Sequence, residues 1–68
     1  MEFDAFDWTE IAGRRVAIIR VQSAYKISNL LNYEVRIDGE KFKIIEVKRY
    51  ADLGDEIEEV GLTVEPII

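Results

Sequence analysis

The stretch Tyr33-Glu34-Val35-Arg36-Ile37-Asp38-Gly39-Glu40-Lys41-Phe42-Lys43-Ile44 constrains the fold more than any other part of the chain. Asp38-Gly39 between alternating apolar residues predicts a β-hairpin, because a type I′ turn needs φ > 0 at both central positions. A two-residue loop sets Ile37 opposite Glu40, Val35 opposite Phe42 and Tyr33 opposite Ile44 on one face. The other face then pairs Glu34 with Lys43 and Arg36 with Lys41. One face is apolar and the other charged, whereas a slip of one residue would mix them.

The remaining segments are read around this hairpin. Asp7 as N-cap, Glu10 three residues later, Phe6 and Ile11 as a hydrophobic staple and Gly13 as a stop predict a short helix over residues 6–13. A strand is expected at Arg15–Gln22, where Val16-Ala17-Ile18-Ile19 is apolar at both parities and suits a strand covered on both sides or one carrying a bulge. Ser23–Asn32 mixes helical apolar spacing with turn formers and reads as a structured loop with at most one helical turn. After the hairpin (33–38 and 40–49) the apolar parity changes between Ile44 and Ile45, which predicts a bulge or strong bend. Arg49–Glu56 reads as a polar connection. Val60, Leu62 and Val64 alternate with Gly61, Thr63 and Glu65 in a last strand that Pro66 ends.

The expected fold is therefore mostly β: a small SH3-like or OB-like barrel of four to five antiparallel strands with a short N-terminal helix. Closure is favoured because it hides strand edges. Residues 1–68 are read as a single domain, with 1–13 as an arm or short helix and 14–65 as the barrel. At this length a domain buries only about 60% of the surface of its unfolded chain, so its margin of stability is thin.

Composition narrows the chemistry. There is no cysteine and no histidine, so disulfides, thiolate sites, the commonest general base and the usual zinc ligands are all excluded. The Ser and Thr hydroxyls have no histidine to activate them, and no Gly-rich phosphate loop or Asp-x-Asp-x-Asp-Gly calcium ladder is present. The chain is expected not to be an enzyme and to need no metal or cofactor. The acidic start Met1-Glu2-Phe3-Asp4, with no long apolar run after it, points to a soluble cytoplasmic protein, not secreted by a signal peptide, and to no membrane partner.

The net charge of −5 is unevenly laid out. Residues 1–12 carry four acids and no base, residues 13–49 carry nine bases and four acids, and residues 50–68 carry six acids and no base. Two accounts fit. In one, antiparallel neighbours carry complementary charges, and the acidic last strand simply lies beside Lys41, Lys43 and Lys48. Alternatively, acidic and basic surfaces stay apart and dock on partners or on copies of the chain. The N-terminal aromatics Phe3, Phe6 and Trp8 read in the same two ways, as a lid on one end of the barrel or as a docking arm.

The run Ile37-Asp38-Gly39-Glu40-Lys41-Phe42-Lys43-Ile44-Ile45-Glu46-Val47, followed by Leu62-Thr63-Val64, resembles the C-terminal half of head–tail joining and head-completion proteins of tailed bacteriophages. Those chains run as a strand, "x-Gly-x-x-Tyr/Phe-x-Ile/Val-x-x-Val", an acidic loop and "Leu-x-Leu/Val"; the resemblance, from Tyr33–Val47 through Gly61–Glu65, spans about half of this chain. The same residues are similar to the second-domain β-barrel of translational GTPases, without its Gly-x-Val/Ile start and its Lys-Val-Gly-Asp step. The phage resemblance implies a small virion component that acts by docking, with no catalysis.

The leading expectation is a protein-interaction or assembly module with protein partners, copies of itself included, of bacteriophage structural or accessory type. Phe3, Phe6, Trp8, Arg36, Lys41 and Lys43 are its candidate partner-binding residues. One alternative is a small acidic inhibitor or nucleic-acid mimic that binds a host protein. Another is a barrel that binds single-stranded nucleic acid through Arg36, Lys41, Lys43, Lys48, Arg49 and Tyr50, against which stand the net charge and a sequence pI near 4.6.

Overall fold

Asp38 and Gly39 take φ of 53° and 85° in the computed structural model, which describes residues 2–22 and 31–67. The turn joins β4 (Glu34–Ile37) to β5 (Glu40–Gly54). Their pairing is the expected one: Glu34↔Lys43, Val35↔Phe42, Arg36↔Lys41 and Ile37↔Glu40. The Ile44 amide also donates to the Tyr33 carbonyl at 3.1 Å. Val35, Ile37, Phe42 and Ile44 are buried, whereas Glu34, Arg36, Lys41 and Lys43 are exposed, so one face enters the core and the other meets solvent.

Four further strands complete a six-stranded sheet: β1 (Glu2–Phe3), β2 (Asp7–Ile11), β3 (Arg14–Gln22) and β6 (Ile57–Pro66). Their spatial order is β1-β4-β5-β6-β3-β2, antiparallel throughout except for the parallel β1–β4 pair. The two outermost strands are consecutive in the chain. Between Phe3 and Asp7 the backbone reaches at most about 14 Å, so the sheet must curl until its edges approach. No ladder joins β1 to β2, and the sheet stays open; the expected closed barrel of four to five strands is corrected to a curled sheet of six. Residues 4–6 span the gap, with the Phe6 amide donating to the Ile18 carbonyl at 2.7 Å.

The helix expected over residues 6–13 does not form. Those residues make a second hairpin, in which β2 pairs with β3 from Asp7↔Ile18 to Ile11↔Arg14 around Ala12 (φ 53°) and Gly13 (φ 78°). Trp8, Thr9 and Ile11 favour a pleated surface, and so short a helix would bear the whole nucleation cost with few bonds in return. The Asp7 carboxylate does bond a nearby amide, that of Trp8 at 2.9 Å. With Ile11↔Arg14 closing the turn, the Trp8 backbone points to the open edge, so this bond covers an edge donor and caps no helix.

The core lies inside the curl. It comprises Ala17, Ile19, Val35, Ile37, Phe42, Ile44, Val60, Leu62 and Val64, with Phe3, Ala5, Trp8, Val21 and Val47 packed around it. The expected bulge is present, since the β5–β6 register shifts between Ile44 and Glu46. This lets Ile44 and Val47 serve the same face although their parity differs. The expected polar connection at Arg49–Glu56 is shorter than read. Strand β5 continues to Gly54, absorbing the polar residues with further shifts at Arg49/Ala51 and Asp52/Gly54. For Ser23–Asn32, residues 23–30 lie outside the described residues; Leu31 and Asn32 form a turn, with Asn32 at φ 70°.

The β5–β6 turn itself is strained. Asp55 and Glu56 sit at φ 53° and 64°, a region that costs a residue with a Cβ roughly 1–2 kcal/mol. Glu56→Gly is therefore expected to stabilise the fold by about 1 kcal/mol, raising Tm by about 4–8 °C. Thermal unfolding followed by circular dichroism checks this, and a lowered Tm would refute the strain argument.

Candidate functional site

The curl brings the N-terminal segment onto the tip of the β4–β5 hairpin, and Asp38 holds it there. One carboxylate oxygen of Asp38 accepts the Ala5 amide at 2.9 Å and the other accepts the Trp8 indole N–H at 2.9 Å. The Asp38 amide donates to the Phe3 carbonyl at 3.0 Å. Asp38 thus serves twice, as the first residue of a tight turn and as the anchor of the segment bridging the sheet edges. The Trp8 N–H and then the Ala5 amide hold its carboxyl below the ordinary value of 3.8, with desolvation opposing.

A depressed carboxyl stabilises the fold fully above the unfolded-state value and loses that contribution as pH falls through the folded-state value. Loosening of the segment on acidification, read from the emission of Trp8, the sole tryptophan, is expected only below about pH 4. Asp38→Asn should remove this step. An identical acid transition in Asp38→Asn would show that other carboxylates carry it.

The three N-terminal aromatics part company. Phe3 and Trp8 are half-buried against the core. The Trp8 ring lies 5.5 Å from that of Phe42 at 49°, and the Arg15 guanidinium stands 4.4 Å from the Trp8 centroid and 5.2 Å from that of Phe42. Arg15 also approaches Glu40 at 3.7 Å. Phe3 and Trp8 therefore form a lid on one end of the curl. Phe6 stays 60% exposed, and the Arg20 guanidinium covers its ring at 3.7 Å. Cation–π contacts of this kind are worth about 0.5–1 kcal/mol at exposed sites.

Arg36, Lys41 and Lys43 share the outer face of the hairpin, but acids interleave with them. Glu2 is paired with Arg36 in register, Glu34 and Glu65 both flank Lys43, and Lys41 lies 4.0 Å from Glu34. Among the described residues the result is a checkerboard with no continuous basic track. The acidic last strand explains much of the uneven charge layout, because β6 lies between β3 and β5. Glu59 meets Arg20 at 3.4 Å, and Glu58 pairs with Arg49. Of the lysines expected beside β6, Lys43 faces Glu65 and Lys48 faces Gly61.

A surface absent from the residue-level reading lies on the outer side of β2, β3, β6 and β5. Ile11, Ala12, Arg14, Glu46, Lys48, Tyr50, Gly61 and Thr63 line a shallow groove of about 300 Å³. Gly61 makes it possible: a Cβ there would come within 2.9 Å of the Tyr50 ring, which lies over the bare backbone. Beneath this face Val16 is buried although it points away from the main core cluster. A glycine inside an alternating strand was the sequence signal for such close approach. Ile11 and Tyr50 remain 52% and 38% exposed. Arg14 and Lys48 take part in no ion pair among the described residues.

Among the described residues no group of three or more acidic side chains is placed to hold a metal ion, and no helix is long and apolar enough to cross a membrane. Ser23 and Lys26, which have Ser-x-x-Lys spacing, lie outside the described residues. No family model, curated protein or solved structure matches this chain.

Proposed function

We propose that this chain is a non-enzymatic interaction module that works by docking on protein, as a structural or accessory component of a virion of head–tail connector type. The observation that carries the docking part is the outer sheet face. It presents Ile11 and Tyr50 to solvent around a glycine dent, flanked by two cations without ion-pair partners among the described residues. An apolar centre with a charged rim is the pattern of protein interfaces. The virion assignment draws on the resemblance of residues 33–47 and 62–64 to phage joining proteins. A second reading, an acidic inhibitor or nucleic-acid mimic, draws on the projecting turn with Asp52, Asp55 and Glu56.

Docking on protein and binding of nucleic acid part at the checkerboard face. Acids between Arg36, Lys41 and Lys43 cancel much of the field that a phosphate backbone needs. Titration with a single-stranded oligonucleotide at about 150 mM salt is expected to show no binding. Micromolar affinity abolished by Lys41→Glu with Lys43→Glu would overturn this proposal in favour of a domain that binds single-stranded nucleic acid.

A further inference from the structure

The chain carries both a cationic, aromatic groove and an acidic projection of complementary character. The projection is the β5–β6 turn, where Asp52, Asp55 and Glu56 surround Leu53, which is 46% exposed. The Asp52 carboxylate accepts the Gly54 amide at 3.0 Å, which holds the turn in one shape. The groove offers Arg14 and Lys48 against the single acid Glu46, with the Tyr50 and Ile11 side chains as its apolar wall. The two cannot meet within one molecule. Strand β6 begins at Ile57, directly after the turn, and Gly61 lies about 14 Å along it at 3.4 Å per residue, held there by paired strands on both sides.

We infer that the Asp52–Glu56 turn of one copy seats in the Gly61 groove of another, with Leu53 against Tyr50 and Ile11 and the carboxylates beside Arg14 and Lys48. The inference rests on the docking reading above and names a second copy of this chain as the partner. Each copy uses one surface as donor and a different one as acceptor, so the contact is head-to-tail and can continue from copy to copy. Because opposite charges set the register, association weakens as salt rises.

Light scattering on the purified chain tests this with two charge-reversed variants. Arg14→Glu with Lys48→Glu reverses the groove, and Asp55→Lys with Glu56→Lys reverses the turn. Each alone is expected to weaken self-association by about tenfold or more, and mixing the two should restore it, since each turn then meets a groove of opposite sign. Replacing Asp55-Glu56 by Asn-Gly guards against misfolding as an explanation: it should raise Tm and still weaken association. Association unaffected by either reversal, or not restored by mixing, would overturn the inference. A purified chain that stays at 7.9 kDa to millimolar concentration would overturn it too. If such a chain nevertheless enters a larger particle in a lysate of its source cells, self-docking fails while docking on another protein stands.

Discussion

Removing residues 1–8 is expected to leave a chain that no longer folds. The deletion takes away β1, the start of β2, the half-buried rings of Phe3 and Trp8 and both hydrogen bonds to the Asp38 carboxylate. Truncating a buried Phe or Trp costs about 3–5 kcal/mol, and half-burial roughly halves that. The two rings together still approach the 3–5 kcal/mol that a single small core supplies. Far-UV circular dichroism should show lost strand signal and no cooperative melt. A truncated chain that melts cooperatively would reject the lid and make the segment a docking arm.

Gly39→Val is expected to cost about 1–3 kcal/mol, lowering Tm by roughly 4–8 °C for each kcal/mol. The cause is backbone alone. Gly39 sits at φ 85°, and a Cβ there would meet nothing within 4 Å, so no clash contributes. The penalty should therefore follow tolerance of the left-handed region, smallest for Gly39→Asn, larger for Gly39→Ala and largest for Gly39→Val. Equal Tm values across the series would sink the turn assignment.

These two effects differ in how far the residues announced them. The Asp38-Gly39 hairpin was legible because turn chemistry and alternation agree, and only one register separates apolar from charged side chains. The bulge after Ile44 was legible from the same alternation breaking. The β2–β3 hairpin was not, because Asp7-x-x-Glu10 imitates a helix cap and Ala12-Gly13 lacks the Asn or Asp that marks a tight turn. The β-forming character of Trp8, Thr9 and Ile11 was the contrary signal, and pairing with β3 made it decisive. Parallel pairing of β1 with β4 involves two residues a long way apart in sequence, and no local pattern encodes it.

The candidate surfaces follow the same division. Alternation placed Arg36, Lys41 and Lys43 on one outer face together with Glu34, yet Glu2 and Glu65 come from β1 and β6, which only the sheet order brings alongside. Phe3, Phe6 and Trp8 looked equivalent, and the curl separates two lid residues from one exposed ring. The Gly61 groove draws on four strands. Its lone trace in the sequence was a glycine among Val60, Leu62, Thr63 and Val64.

The central claim, that the chain acts by joining other protein, is tested most directly by its native mass. Sedimentation of the labelled full chain, alone and in a lysate of its source or infected cells, is expected to show a species well above 7.9 kDa that shrinks as salt rises. A mass of 7.9 kDa in both, at every concentration, would contradict it.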